Sequence, residues 1–372
     1  MTDLKLEVYD TSLELVDALT GVESIVWQEE AFGAGSFTAV TFLTEESAAL
    51  LKPEHYLWIA DDTVGLIESV ELTAEENGVK KLTAKGRTGA ALFDRRILWG
   101  TYNVTGTPAA VMAHLVSDCC VTPTRGTTAA RILPILDMDN TPQGGSSIRL
   151  QKTGGSLLEA LEGLGEAYQV PYKVALDPVN SRLLYTSRYG VDRSTNQDAV
   201  DPVFFSTELD DIVSAVYAYD SENYRNVALI GGQIDDETEI RTYAAIEGEA
   251  AGTERRELFV DARDMSMSNG EEVLTAEEYE AALINRGRSK LADHRCAESF
   301  EVDVLTVGST YVYGTDFFLG DTITVSDERL GVRIDAVVTA VMRSVSRTGE
   351  TMSFTLGYSA PTIQKYIRKA VN

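Results

Sequence analysis

The chain has 372 residues, of which 44% are apolar and 24% charged, the balance of a soluble globular protein long enough for two or three domains. Its 58 acidic residues outnumber 32 basic ones, and the formal charge of −26 argues against stable binding of nucleic acid or of an anionic membrane surface. Three cysteines are too few for a disulfide framework, and the sequence has neither a signal peptide nor a membrane-spanning run, so we expect synthesis in the cytoplasm.

The first hundred residues have the alternating pattern of short β-strands. Apolar and polar residues alternate in 5–9, 56–60, 64–73 and 79–85. Asn77-Gly78, between the last two runs, is a strong hairpin signal because both residues tolerate a positive φ. Short strands joined by hairpins predict an antiparallel barrel or sandwich.

The middle of the chain changes to helical periodicity. Thr107 followed by Pro108 predicts a helix start, and apolar residues then repeat on one face up to Cys119. Ser156 and Glu159 predict a capping box at the start of a second helix. The region is therefore interpreted as a small α+β unit. Its other predicted elements are strands at 131–136, 172–176 and 182–187 and an exposed loop at 192–201.

From about Ser206 the chain returns to β-strand patterns, interrupted by one helix. Thr275 with Glu278 predicts a capping box at the start of that helix. The sequence thus has two β-rich ends around a mixed middle. The strands predicted here are 213–219, 225–230, 255–260, 300–305, 322–325, 332–346 and 352–357.

Motifs that would carry chemistry are not found. The three histidines, His55, His114 and His294, are far apart in sequence, and no metal-ligand spacing occurs. Gly33-Ala34-Gly35 lacks the third glycine of a dinucleotide fingerprint, and the nucleophile-elbow and Walker patterns are absent. Acidic residues are so abundant that no glycosidase carboxylate pair can be singled out. We therefore predict no catalytic, cofactor-binding or metal-ligating residue.

A run of arginines and aromatic residues ends the first region: Lys85-Gly86-Arg87-Thr88, then Leu92-Phe93-Asp94-Arg95-Arg96-Ile97-Leu98-Trp99-Gly100. With the stretches 22–37, 51–59, 318–325, 356–357 and 361–363, it resembles the tail hub proteins of long non-contractile-tailed phages, relatives of the central hub of contractile baseplates. The family pattern is a glycine-arginine step, a short helix and an aspartate-arginine-arginine turn into an aromatic strand. Near the C-terminus, Leu319-Gly320-Asp321 precedes a β-run, as in many tail hubs.

The resemblance implies a mainly β fold in which two β-barrel-like domains flank an α+β region. The expected domains are 1–105, 106–205 and 206–372. It also implies a non-enzymatic homotrimeric ring at the virion tail tip, which closes the tail tube and needs no cofactor. The implied partners are the hexameric distal tail protein ring, the C-terminus of the tape-measure protein and a tail fibre or receptor-binding protein, while DNA passes through without stable binding.

Six residues are candidates for structural or interface roles. Arg87, Arg95 and Arg96 are a basic cluster in an acidic chain, and we favour ion pairs with carboxylates, buried or at an interface. Trp99, like Trp27 and Trp58, lies in a predicted strand, where core packing is the default role and an interface anchor the second. Gly320 is expected to form a tight turn before Asp321, in which a Cβ has no room.

Two other functional classes remain open. One is a tail-associated hydrolase of cell wall or capsule that uses a carboxylate pair, and the other is a host carbohydrate-binding module with exposed aromatic side chains. The charge adds a further hypothesis: an acidic lumen, drawn from loops such as Asp235 to Glu239 or Glu247 to Glu254, would repel DNA and let it slide. An evenly acidic exterior that serves solubility is the alternative.

Overall fold

A computed structural model of the chain describes residues 5–60, 62–74, 78–139, 144–209, 212–234, 239–268, 273–304, 310–329, 331–347 and 349–357. Strands dominate both ends of the described part, and helices are concentrated in the middle and in one later segment. The predicted mainly β fold is confirmed.

The first part of the chain forms one antiparallel sheet with a short helix beside it. The elements are β1 (Leu6–Tyr9), β2 (Leu15–Leu19), β3 (Val22–Glu30), β4 (Ser36–Phe42), α1 (Glu45–Leu50), β5 (Tyr56–Ala60), β6 (Thr63–Ala74) and β7 (Lys80–Thr88). In space the strands follow the order β2-β1-β5-β6-β7-β4-β3. The predicted pairing of β6 with β7 is confirmed, although Asn77 in the turn lies outside the described residues.

The middle of the chain contains most of the helices. It begins with a 3₁₀ helix (Gly89–Arg95) that follows β7 directly. Thr107 caps α2 by accepting a hydrogen bond from the Ala110 N–H, as predicted. The elements are β8 (Thr101–Gly106), α2 (Pro108–Val116) with a π-helical turn (Ser117–Val121), α3 (Thr128–Arg131), β9 (Leu136–Met138), β10 (Ile148–Thr153), α4 (Leu157–Tyr168), β11 (Tyr172–Asp177), β12 (Arg182–Ser187), β13 (Asp192–Arg193) and β14 (Phe204–Ser206).

Three expectations for this region were wrong in detail. The strand predicted at 131–136 is the end of α3 followed by an irregular segment, since Pro134 has no N–H to donate to a strand ladder. Ser156 precedes α4 without capping it, and its hydroxyl lies 3.5 Å from Asp94 Oδ1 instead. The loop predicted at 192–201 begins with β13.

The last part of the chain forms a second set of strands and the longest helix. The predicted capping box is confirmed: the Glu278 N–H donates to Thr275 Oγ1 at 3.2 Å, and the Thr275 N–H donates to Glu278 Oε2 at 2.9 Å. The elements are a 3₁₀ helix (Thr207–Leu209), β15 (Ile212–Asp220), β16 (Val227–Ile234), β17 (Arg241–Ile246), a 3₁₀ helix (Gly252–Glu254), β18 (Glu257–Asp261), α5 (Ala276–Ala292), β19 (Ala297–Val304), β20 (Thr322–Asp327), β21 (Val332–Ser346) and β22 (Gly349–Gly357).

β21 joins the two β-rich ends into one sheet. Its second half, from Ala340 to Ser346, pairs with β3 on one side and with β22 on the other. Its first half, from Val332 to Val337, pairs with β20. β22 continues the sheet through β19 to β15. The predicted division at residues 105 and 205 stays a prediction, but the terminal thirds of the chain share this strand.

The sheets are not closed into barrels. Within the described residues, β2 pairs only with β1 at one end of the continuous sheet, and β15 pairs only with β19 at the other. β16, β17 and β18 form a separate three-stranded sheet that packs on α5. The barrel-like form of the two predicted β domains therefore remains a proposal.

Candidate functional site

Arg87 links the first sheet to the 3₁₀ helix that follows it. Its guanidinium donates to Glu68 Oε1 at 2.7 Å and Oε2 at 3.0 Å, and to Asp94 Oδ2 at 3.0 Å. The hydrogen bonds to Glu68, opposed by partial burial, raise the pKa of Arg87 above its ordinary value. Since Glu68 is on β6 and Asp94 is in the 3₁₀ helix, Arg87 fixes the turn between β7 and the helix.

Arg95 and Arg96, although adjacent, bind different partners. Arg95 forms a two-point pair with Glu54, with Nη1–Oε2 at 2.5 Å and Nη2–Oε1 at 3.1 Å, on the surface. Arg96 donates to the backbone carbonyls of Arg131, at 3.1 Å, and of Arg95, at 3.0 Å. The expectation of carboxylate partners is met by Arg87 and Arg95. Arg96 has carbonyl partners in the described part of the chain, and an ion pair of Arg96 at an interface stays a prediction.

Trp99 lies on the surface, two residues before β8 begins. Its side chain is 51% exposed. The ring packs on Gly126, whose φ is +70° and where a Cβ would come within 3.0 Å of two ring atoms. The Arg131 guanidinium lies 5.5 Å from the ring centroid. Core packing was thus the wrong expectation for Trp99, whereas Trp27 in β3 is buried as expected.

Arg131, which the sequence did not single out, organises the backbone around Trp99. Its side chain is 8% exposed and donates to the carbonyls of Arg125, at 2.8 Å, and Ile97, at 3.1 Å. The nearby Asp118 carboxylate is also buried and accepts hydrogen bonds from Tyr102 and from the Thr124 N–H and hydroxyl. Burial alone would raise the pKa of Asp118, but these hydrogen bonds outweigh it and lower the pKa.

Asp321 is a fully buried carboxylate that ties β20 to the segment before β14. Oδ1 accepts a hydrogen bond from the Val191 N–H at 2.9 Å. Oδ2 accepts from Arg193 Nε at 3.2 Å and from the Phe318 N–H at 3.0 Å. Arg188 Nη2 lies 3.8 Å from Oδ1. Asp321 therefore serves as both an ion-pair partner and a turn-forming acceptor.

Gly320 allows the turn before β20 to pack closely against Pro171 and Gly190, and we call this contact region around Asp321 the junction. Its φ is +85°, and a Cβ there would lie 2.0 Å from Pro171 Cγ. On the other side, Gly190 comes so close that a Cβ on it would lie 1.7 Å from the Gly320 carbonyl oxygen. The expected tight turn without room for a Cβ is what the structure has at Gly320. The junction is distant in sequence from Arg87, Arg95 and Arg96.

Glu29, another residue that the sequence did not indicate, is a partly buried carboxylate where β3 pairs with β21. Burial raises the pKa of Glu29, and a hydrogen bond with Thr63 and the charge of Lys173 oppose that rise. Its cross-strand partner is Val341. The group therefore titrates inside the seam between the two β-rich ends of the chain.

The histidines and cysteines form no reactive cluster in the described residues. His55 Nδ1 lies 3.0 Å from the Leu50 carbonyl oxygen, and His294 Nδ1 lies 3.3 Å from that of Asn223. Cys119 and Cys120 are buried, and Cys296 donates to the Asp220 carbonyl. No group of three or more His, Cys, Asp or Glu side chains within the described ranges is arranged to hold a metal ion. In the same ranges no helix is long and apolar enough to cross a membrane.

The sequence profile of the Siphovirus ReqiPepy6 Gp37-like protein family matches residues 5–358. The chain belongs to this family. No curated protein matches it in sequence. The family assignment covers nearly all of the described structure, including the arginine residues, Trp99 and the Asp321 junction.

Three solved structures with a similar fold are phage tail proteins. The 43 kDa tail protein of prophage MuSo2 from Shewanella oneidensis has a TM-score of 0.58 at 14% identity, over 95% of this chain and 98% of that one. The tail protein from Neisseria meningitidis MC58 has a TM-score of 0.55 at 14% sequence identity, over 94% of this chain and 95% of that one. Prophage tail protein gp18 from Listeria monocytogenes EGD-e has a TM-score of 0.51 at 10% sequence identity, over 99% of both chains. With the family match, this confirms the predicted relationship to phage tail proteins.

Proposed function

We propose that this chain is the structural hub of a siphophage tail tip. Three copies would form a ring that joins the hexameric distal tail protein to the tip and closes the tail tube. The observation that carries the proposal is the family match from residue 5 to 358, together with a fold shared along the whole chain with phage tail proteins. The tape-measure C-terminus and a tail fibre or receptor-binding protein are its expected neighbours.

The arrangement of the described residues suits a structural role. Several of its ion pairs connect separate elements, such as Arg87 with Glu68 and Arg193 with Asp321. The open ends of the continuous sheet, at β2 and β15, leave backbone donors and acceptors available to neighbouring molecules. In a ring, such neighbours would complete the barrel-like form that the isolated chain lacks.

Electron microscopy of tails and light scattering of the purified protein test the proposal. We expect density for this chain at the tail tip with threefold symmetry, and a solution mass three times the 40.6 kDa of the chain. A stable dimer with twofold symmetry, or a position elsewhere in the virion, would contradict it. Hydrolysis of purified cell wall or capsule by the protein would support the hydrolase alternative instead.

The acidic lumen is a second part of the proposal. DNA carries one negative charge about every 1.7 Å of helix axis, so a basic lumen would hold it, whereas an acidic lumen would let it slide. Of the two loops named for this role, 235–238 lie outside the described residues. The other contains Glu247, an exposed carboxylate paired with Arg255 at 2.7 Å. A ring structure with a neutral or basic lumen would contradict the hypothesis.

Carbohydrate binding is a second candidate function, favoured by one surface. Tyr243 and Phe259 are both more than half exposed on the three-stranded sheet, on either side of Arg241. Arg241 is held by Asp261 at 2.6 Å and by the Gly231 and Gly232 carbonyls at 2.7 and 2.9 Å. Flat exposed rings beside fixed polar groups suit a sugar ring. Loss of glycan-array binding in Tyr243→Ala would support this role, and an array with no binding by wild type would contradict it.

A further inference from the structure

Residues 95–136 differ in charge from the rest of the chain. The segment contains four arginines, Arg95, Arg96, Arg125 and Arg131, and a single acidic residue, Asp118. Asp118 is buried, accepts hydrogen bonds from Tyr102 and Thr124, and lies 3.9 Å from Arg125 Nε, so it offsets part of the Arg125 charge but adds no carboxylate to the surface. The segment is therefore basic in a chain whose net charge is −26.

The same segment exposes large apolar side chains beside these arginines. Ile97 is 52%, Trp99 51% and Ile132 43% exposed. Hydrogen bonds place them on one surface: Arg131, which lies over the Trp99 ring, donates to the Ile97 carbonyl, and Arg96 donates to the carbonyl of Arg131, the neighbour of Ile132. We name this surface the arginine–tryptophan face, formed by Arg96, Ile97, Trp99, Arg125 and Ile132.

The face is held rigid before any partner arrives. Gly126 and Arg131 fix the Trp99 ring. The Arg125 guanidinium stacks 4.3 Å from the centroid of the Tyr102 ring and donates to the Thr101 carbonyl. Tryptophan and arginine dominate the binding energy of protein interfaces, and a preorganised site loses little conformational entropy when it binds. Rigidity, exposed apolar area and positive charge together are the properties of a docking surface.

We propose that the arginine–tryptophan face docks onto an acidic surface of a second copy of this chain. Charge complementarity selects this occupant, since almost all of the 58 acidic residues lie outside the face's own segment. A twofold contact centred on this face would bring two basic surfaces together and is opposed by repulsion, whereas a head-to-tail contact pairs the face with an acidic surface and can close a ring. The inference rests on the ring proposed above and names the surface that forms it.

Substitutions at Ile132 test the contact and its charge. Ile132→Glu places a carboxylate on the face and should weaken self-association roughly 10- to 100-fold, whereas Ile132→Lys should weaken it far less because the partner surface is acidic. Val179→Glu is the matched control, since Val179 is an apolar side chain 88% exposed outside the face and this substitution should leave association unchanged. Trp99→Ala should weaken association as Ile132→Glu does.

Sedimentation equilibrium gives the readout, with circular dichroism to verify that each variant is folded. Association of the wild type should weaken as salt rises from about 0.05 to about 0.5 M, because screening shortens the reach of the charges. Equal loss in Ile132→Glu and Ile132→Lys would overturn the acidic partner. A trimer retained in Ile132→Glu and Trp99→Ala would overturn the docking face and leave the ring intact. A wild-type monomer at every concentration would overturn self-docking, while microscopy of tails tests the tail-tip role independently.

Discussion

Arg193 Nε lies 3.2 Å from Asp321 Oδ2, and this ion pair joins two positions that are 128 residues apart in sequence. Asp321 is fully buried, whereas Arg193 keeps about a fifth of its side chain exposed. The carboxylate also accepts two backbone N–H groups, so the pair is part of a satisfied buried network. Such a network is costly to break from one side, because the buried donors left behind lose the carboxylate that accepts their hydrogen bonds.

Replacing the Asp321 carboxylate should destabilise the protein. In Asp321→Asn the charge is lost and an amide N–H₂ faces a backbone donor, so we expect the unfolding free energy to fall by about 3 kcal/mol. Urea denaturation followed by circular dichroism measures the change. Glu247→Gln, on an exposed pair with Arg255, is the control and should leave the midpoint unchanged. A midpoint equally unchanged in Asp321→Asn would refute the role of the junction.

Gly320 should be intolerant of a methyl group for two separable reasons. Gly331 has a similar φ of +64° but open space around it, so Gly331→Ala should show the backbone strain alone, roughly 1–2 kcal/mol. Gly320→Ala adds the clash with Pro171 Cγ and should lose clearly more stability. Thermal unfolding of both variants under identical conditions gives the comparison. Equal losses of stability in the two variants would mean that Pro171 moves away from the added methyl group without a measurable free-energy cost.

The buried Arg131 should matter more for stability than the exposed Arg95. Arg131→Ala leaves two carbonyls, of Ile97 and Arg125, without their donor, and we expect a loss of about 2–4 kcal/mol. Arg95→Ala breaks a surface pair with Glu54 and should cost less than about 1 kcal/mol. Urea midpoints of the two variants check the order. The reverse order would show that the Arg95–Glu54 pair contributes more to the free energy of unfolding than the Arg131 hydrogen bonds around Trp99.

Glu29 should make the seam between the β-rich ends sensitive to pH. Burial raises its pKa above the ordinary 4.5, so its contribution to stability is fully present below that value and is lost as pH rises through the raised pKa. Glu29→Gln stays neutral, so the variant should gain stability relative to wild type between about pH 4 and about pH 8. Thermal midpoints across this range test it, with Glu14→Gln, at an exposed site, as the control. A pH-independent difference between Glu29→Gln and wild type would contradict the assignment.

Most strands could be predicted from the sequence, because one face of each strand packs on a core and this produces alternating apolar residues. β21 begins and ends at the residues predicted, Val332 and Ser346, although its alternation is interrupted by apolar runs at 336–338 and 340–342. The capping box at Thr275 was equally readable, because it depends on side chains three residues apart. Where Pro134 interrupts an apolar run, periodicity alone gave a strand that the backbone cannot form.

The candidate sites were only partly predictable, because long-range contacts decide them. Gly320 and Asp321 stood out by the local motif, but their partners Pro171 and Arg193 come from other parts of the chain. Arg131 and Glu29 have no local signature, since burial far from their own elements creates their roles. The scarcity of carboxylates between residues 95 and 136 is a signal in the sequence that would have drawn attention to the surface around Trp99.

The shared strand β21 also constrains how the protein is made. β3 is synthesised early, yet its partner along Ala340 to Ser346 leaves the ribosome roughly 300 residues later. At about 5–20 residues per second, the β3 edge stays uncovered for tens of seconds on the nascent chain. An uncovered edge can pair with the same edge of a neighbouring nascent chain on one polysome. Ribosome spacing and chaperone access therefore bear directly on the yield of correctly folded protein.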